Sequence, residues 1–295
     1  MGFSLAGCSR GDARQDGRRR PFLHRALLLF CIAFVYTAAQ SVSAQTSSYL
    51  GFDRNDYPGD QNLPVLRQTF SFVGYWLNNP PGETSNNWAG KRQTLDSAGF
   101  GFLVLFNGRL DAALKSVSKA RSLGTADGQS AVAAGRNEGF PARTIIFLDQ
   151  EEGGRMLPEQ KAYIYAWVDA VGASGFRAGI YCSGIAAKDD ENIVTASDIR
   201  QHAGGRSIIY FVSNDQCPPS PGCAFPKSAP SPSQSGTAFA DVWQFAQSPR
   251  RPEYTARCSA TYNSDGKCYP PGITEKLHID IDTAKSPDPS QARTR

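Results

Sequence analysis

Acidic residues gather in three short stretches of this 295-residue chain, and each stretch reads as part of a β-strand. TIIFLDQEE (residues 144–152) closes an apolar run with Asp149, Glu151 and Glu152; GFDRND (51–56) holds Asp53 and Asp56; HIDID (278–282) holds Asp280 and Asp282. On a strand, residues two apart face the same way, so Asp149 and Glu151 share a face about 6.5–7 Å apart at Cα, while Gln150 and Glu152 point elsewhere. Two carboxyls on one face suit acid–base work, because the like charge of Asp149 raises the Glu151 pKa and keeps it protonated near neutral pH. An acid closing a strand also serves as a helix cap or a solvated loop carboxylate, and Glu152 and Asp56 are assigned to that role. Trp76, Tyr181 and Trp243 stand at other strand ends, and Gln244 adjoins the last of them. Rings stack on the apolar faces of pyranoses while acids handle hydroxyls and the glycosidic oxygen. The set therefore reads as a sugar site, with Glu151 and Asp149 catalytic and Asp53, Asp280, Asp282, Tyr181, Trp76, Trp243 and Gln244 binding substrate.

The elements that must position these residues can be read from periodicity. Runs rich in β-branched and aromatic residues occur at 49–56, 72–78, 100–108, 144–151, 177–184, 207–214, 240–247 and 277–284. Helical patterns fall between the early ones: NWAGKRQTLDSAG, DAALKSVSKARSLG with DGQSAVAAGRNEG, and PEQKAYIYAWVDAVGASG, whose Pro158 suits a first helical turn. Apolar strands alternating with helices predict a parallel sheet, and eight of them predict an α/β fold of the TIM type, a closed (β/α) barrel. A modest helix is expected in VTASDIRQHAG after strand five. Strands six and seven are instead followed by the proline-rich CPPSPGCAFPKSAPSPSQSG and SPRRPEYTARCSATYNSDGKCYPPG, where helices are not expected. Both loops would lie at the C-terminal mouth with the acids, strand eight pairing with strand one and facing strand four.

The N-terminus reads as a leader. Basic GRRRPFLHR precedes the apolar run Ala26–Ala39 and then Val42-Ser43-Ala44, a small-residue cleavage pattern. Fourteen apolar residues fall short of the roughly 20 that cross a bilayer as a helix. Arg19-Arg20-Pro21-Phe22-Leu23 resembles the twin-arginine export motif, with general Sec export as the alternative. Three segments are expected: an export signal over 1–44, the barrel over 45–286 and a disordered tail over 287–295. Without residues 1–44, the 31 basic residues less six Arg and the 27 acidic less two Asp leave 25 of each. The basic balance thus belongs to the leader, and nucleic acid is not an expected partner. Of the five cysteines remaining, the local pairs Cys217–Cys223 and Cys258–Cys268 are expected to bridge, with Cys182 free inside an apolar strand, although five cysteines allow other pairings. Neither spacing is Cys-x-x-Cys and only His202 and His278 remain, so no metal or cofactor is expected.

GFDRND, FLDQE, GIYCSG, WQFAQ and HIDIDTA, in this order and spacing, resemble the bacterial glycoside-hydrolase-like family catalogued as domain of unknown function 1906. They are more distantly similar to the family 25 glycoside hydrolases, the lysozyme-type muramidases. The resemblance spans about residues 49–284 and implies a barrel that loses helices after its fifth strand. It places Asp53, Asp149, Glu151 and Asp280 in the cleft, with Asp282 where muramidases commonly carry Asn. It also implies a polysaccharide or peptidoglycan substrate outside the cytoplasm. Two acids adjacent on one strand approach a glycosidic bond from one side, whereas ordinary retaining or inverting hydrolysis flanks it with a pair. One-sided acids fit substrate assistance: Glu151 protonates the leaving oxygen, and Asp149 orients a 2-acetamido group as internal nucleophile. The expected substrate therefore contains N-acetylhexosamine. A non-catalytic glycan-binding barrel is the competing expectation. Metal-dependent phosphodiester cleavage is disfavoured by the shortage of histidines.

Overall fold

Eight short strands close into one barrel: β1 (Tyr49–Asp53), β2 (Phe72–Trp76), β3 (Gly101–Asn107), β4 (Ile145–Asp149), β5 (Arg177–Ser183), β6 (Ile209–Ser213), β7 (Val242–Ala246) and β8 (Asp280–Ala284). This computed structural model describes residues 47–188, 190–273 and 277–293. The expected export signal lies outside the described residues. Among these residues no helix is long and apolar enough to cross a membrane.

The strands lie where the apolar runs predict, and β2, β4 and β7 are buried at every residue, as strands covered on both faces must be. Helices α1 (Leu63–Thr69), α2 (Arg92–Ser97), α3 (Val117–Asn137), α4 (Pro158–Ala173) and α5 (Thr195–Gln201) cover the first half. Helix α1, which the periodicity did not predict, starts with a proline in its first turn. Helix α3 runs unbroken where two helical segments were expected. It meets α4 along small residues: a Cβ at Gly124 would lie 2.2 Å from the Tyr163 carbonyl oxygen, so only glycine permits this approach.

The sheet departs from the all-parallel expectation at one strand. β1 to β7 are parallel in order around the barrel, but β8 is antiparallel to both β7 and β1. The cause lies in the loop after β7. A parallel return needs a crossover to the far end of the barrel, whereas an antiparallel strand re-enters at the end where its predecessor stopped. Among its described residues, the segment between β7 and β8 contains only the four-residue helix α6 (Pro252–Thr255) and a 3-10 turn (Ala256–Thr261), neither of which crosses to the far end. Even that corrects the expectation of no helix there, because Pro252 occupies a first-turn position that tolerates it.

The expected local disulfides do not form. Cys217 pairs with Cys258 and Cys223 with Cys268, joining the loop after β6 to the loop after β7, while Cys182 is free and buried. The two loops pack on each other: Cys217 N–H donates to the Tyr254 carbonyl and Cys223 N–H to Thr261 Oγ1. Each cysteine therefore meets a partner on the other loop.

The residues expected as a disordered tail are also ordered as far as residue 293. Ser290 is fully buried; its N–H donates to the Phe102 carbonyl, its own carbonyl accepts from Ile145 N–H, and Oγ accepts from Val104 N–H. Asp288 Oδ1 takes Phe102 N–H. The tail thus supplies partners to the starts of β3 and β4.

Candidate active site

β4 delivers its carboxylates as the alternation requires. Asp149 is its last residue, in register with Asn107 of β3 and Tyr181 of β5. Gln150 N–H donates to the Tyr181 carbonyl, carrying strand pairing one residue further. Asp149 and Glu151 accordingly line the same cleft. Gln150 is buried on the other face. Glu152 turns away as well, and its Oε2 accepts from Asp111 N–H and Gln160 Nε2, tying the loop to the start of α4.

The antiparallel course of β8 changes how the other acids reach the mouth. Asp280 opens β8 instead of closing it, and stands opposite Asp53 of β1. Gly74 of β2 makes room for this pair, since a Cβ there would lie 2.5 Å from Asp53 Cβ. Gln244 of β7 joins them. Its Nε2 donates to Asp53 Oδ2 at 2.9 Å and Asp280 Oδ2 at 3.4 Å. Its Oε1 accepts from Tyr181 O–H at 2.7 Å and Gln247 Nε2 at 2.8 Å. Asp280 Oδ1 also accepts from Ser248 N–H at 2.6 Å. One amide on β7 thus holds groups from three other strands and from the loop beyond β7.

Two expected residues do not reach the cleft. Trp243 alternates with Gln244 and so lies on the outer face, fully buried against Phe245, with Nε1 donating to the Asn214 carbonyl. Asp282 lies two residues along β8 from Asp280, which on this reversed strand carries it down into the barrel opposite Gly51. It is fully enclosed and does not line the cleft. Trp76 and Tyr181 do line the cleft, as expected. Trp76 is largely buried, with Nε1 donating to the Arg54 carbonyl, and Tyr181 packs on Phe211 at 4.6 Å.

Asn55, Pro81, Leu105, Phe211 and Gln247 complete the lining and were not anticipated. Asn55 was within reach of the alternation rule, two residues beyond Asp53. Leu105 and Phe211 carry no signal that separates them from core, and Gln247 lies past the end of its strand.

Burial dominates the electrostatics. It raises Asp53, and raises Asp149 and Asp280 well above the usual carboxylate range; the Glu151 and Asp53 charges add to the shift at Asp149, and Asp53 adds at Asp280. Glu151 stands at the exposed rim, yet burial of its carboxyl raises it too. The cause differs from the like-charge argument made from sequence, since the repulsion falls on the more enclosed Asp149. One Asp149 oxygen, Oδ1, is buried without a hydrogen-bond partner, as a carboxyl retaining its proton tolerates better than a carboxylate does. The cleft encloses about 80 Å³ and shares Glu151, Tyr181 and Gln247 with an adjoining annex of about 340 Å³. A larger groove of about 870 Å³ between α3 and α4 holds none of these acids.

The sequence model of a family described as "Rv2525c-like, glycoside hydrolase-like domain" matches residues 66–215, which contain Trp76, Asp149, Glu151 and Tyr181. No curated protein matches the sequence. Among solved structures, an uncharacterized B. stearothermophilus protein is similar at a TM-score of 0.53 and 18% identity, over 80% of this chain and 95% of that one. The Mycobacterium tuberculosis Tat-secreted protein Rv2525c, in complex with L-tartrate, is similar at 0.45 and 12%, over 80% and 94%. A family 25 glycosyl hydrolase from Bacillus anthracis is similar at 0.46 and 11%, over 81% and 90%. The first of these supports the barrel fold.

Proposed function

The chain belongs to the Rv2525c-like glycoside hydrolase-like domain family, and from that premise we propose that it is an exported hydrolase cleaving N-acetylhexosamine-containing cell-wall polysaccharide, such as peptidoglycan. The observation that carries this reading is the pairing at the end of β4: Glu151 at the rim and Asp149 just inside, both lining one cleft and both raised by burial. Glu151 retains a proton to give to the leaving glycosidic oxygen. Asp149, reached only at its exposed edge, accepts the N–H of a 2-acetamido group and turns its carbonyl oxygen toward the anomeric carbon, where it acts as the nucleophile. The Asp53–Gln244–Asp280 network and Tyr181 hold sugar hydroxyls, and Trp76 offers its ring to a pyranose face. The cleft is narrower than a sugar ring, so the ring rests on the rim and annex with only its acetamido group and scissile oxygen inserted.

The test is release of new reducing ends from peptidoglycan and from N-acetylated oligosaccharides. Glu151→Gln keeps shape and hydrogen bonding but removes the proton donor, and should lower turnover by the 10²- to 10⁴-fold typical of general-acid loss, with glycan affinity little changed. Asp149→Asn should harm substrates bearing a 2-acetamido group far more than activated substrates without one. A second reading, a glycan-binding barrel without turnover, is favoured by the near-complete burial of Asp149, only 5% exposed. It takes over if glycan binds uncleaved and Glu151→Gln alters neither property.

Export belongs to the same proposal. Two disulfides suit an oxidising compartment, and residues 1–44 have the composition of a cleavable leader. N-terminal sequencing of the exported protein should begin near Gln45; finding residues 1–44 retained would refute the cleavage. Arg19→Lys with Arg20→Lys should block export by the twin-arginine route, and unchanged export would assign the leader to Sec.

A further inference from the structure

The annex shares Glu151, Tyr181 and Gln247 with the acid cleft and is lined also by Ser213, Arg251 and Tyr254. Every charged group lining the cleft is an acid. Among the described residues, Arg251 is the one basic residue lining either cavity. The structure holds it firmly. Nε donates to Asp215 Oδ2 at 3.1 Å and Nη2 donates to Oδ1, while the guanidinium carbon lies 4.7 Å from the Tyr254 ring centre. Asp215 is fully buried. The loop beneath is fixed by the Cys217–Cys258 bridge and by Cys217 N–H donating to the Tyr254 carbonyl.

A guanidinium presents donors along more than one edge, and Asp215 occupies the edge formed by Nε and Nη2. The side chain remains 34% exposed, so the edge that includes Nη1 is left to solvent and the annex. An Arg whose charge is already balanced by a buried acid needs no ligand for stability. Its fixed fork is instead a preorganised receptor for a second planar anion. Glu151, in the acid form that protonation of the leaving oxygen requires, sets no charge against such an anion.

We infer that the annex is a subsite for a carboxylate carried on the glycan, bound by the outer edge of Arg251 with the Ser213 hydroxyl beside it. This inference rests on the glycan reading above and narrows it to acidic glycans. A sugar lying across the rim, with its acetamido group toward Asp149, would turn an acidic substituent or an acidic neighbouring sugar into the annex. Two sources share this chemistry: the carboxyethyl ether of a muramic acid and the carboxylate of a uronic acid.

Calorimetric titration of the intact protein in a Glu151→Gln background, which prevents turnover, tests the inference. Three tetrasaccharides serve as probes: neutral tetra-N-acetylchitotetraose, an alternating N-acetylglucosamine–N-acetylmuramic acid tetramer, and an alternating N-acetylglucosamine–glucuronic acid tetramer. At least one acidic tetramer should bind about tenfold or more tighter than the neutral one, as a charge-assisted hydrogen bond to Arg provides, and which one does so identifies the source. The preference should shrink as salt is added. Asp215→Asn/Arg251→Gln removes both charges together, leaving no unpaired buried acid, and should abolish the preference. Arg251→Lys, which keeps the ion pair but not the fork, should weaken it. Equal binding of all three probes, or a preference that survives in both variants, overturns the inference while leaving the glycan reading in place. Binding of none of the three overturns both.

Discussion

Asp282 lies one inward-facing position below the Asp53–Asp280 pair, fully buried, and its carboxyl shares a hydrogen bond with that of Asp53. Burial, and then the charges of Asp53 and Asp280, hold it well above the usual carboxylate range. A raised folded-state pKa sets the sign of its contribution to stability. The folded chain keeps a proton that the unfolded chain releases near 3.8, so the stability tied to Asp282 is complete below that pH and is lost as pH rises toward the folded-state value. Asp282→Asn, a neutral isostere, should flatten this decline. Thermal unfolding between about pH 4 and pH 8 should show the variant gaining on the wild type as pH increases, with each kcal/mol appearing as roughly 2–4 °C in a domain of this size. Parallel profiles for the two proteins would show that Asp282 is ionised in the barrel. The slope is the test, because Asn also brings an amide that needs partners. Glu152 illustrates the other kind of acid. Its carboxylate joins the loop after β4 to Asp111 and Gln160, so Glu152→Gln should leave chemistry untouched and cost only modest stability.

Among the elements, the loops after β6 and β7 take the place that helices fill elsewhere in the barrel. Proline-rich and short of regular structure, they are joined by cross-loop disulfides closing segments of 41 and 45 residues. Loops of that length correspond to about 4 kcal/mol each at most in the chain-entropy account. Cys217→Ser with Cys258→Ser should therefore lower Tm by roughly 5–15 °C. It should also loosen Arg251, whose loop the bridge anchors, before the barrel opens. Peptide mapping without reduction should recover Cys217 with Cys258 and Cys223 with Cys268, and a Cys217–Cys223 peptide would contradict the arrangement. The proline content of these loops was plain in the sequence, and so was the absence of long helices. The pairing of cysteines carried no such signal, since spacing measures separation along the chain and the bridge follows proximity across it.

For the molecule as a whole, the barrel is completed at its two ends by different devices. At the mouth the loops and the Gln244 network bind β1, β5, β7 and β8 together. At the other end residues 286–293 run beneath β3 and β4, with Ser290 and Asp288 meeting backbone groups of Phe102, Val104 and Ile145. Deleting residues 286–295 removes those partners together with the buried Ser290 and Ala292. The truncated protein should be less stable by about 2–4 kcal/mol, as several buried backbone groups lose partners worth about 1 kcal/mol each. Its glycan affinity should change little, because the site is at the opposite end. Urea unfolding checks the first statement and titration the second; an unchanged midpoint would mean that the tail adds nothing to the barrel.

Local properties of the sequence were enough to determine the eight strands, most of the helices between them and the inward facing of Asp149 and Glu151. Each depends on the period of a strand or helix, which neighbouring residues express wherever the element ends up. The tertiary structure decided what depends on distant segments meeting. It reversed β8, so that Asp280 opens onto the cleft while Asp282 is shut beneath it. It turned Trp243 outward, because its neighbour Gln244 was needed to bridge Asp53 and Asp280. It also brought Arg251 beside the acids from a loop in which it reads as one more surface charge. Alternation assigns a side chain to a face, but which end of a strand lies at the mouth, and what waits there, follows from the path of the whole chain.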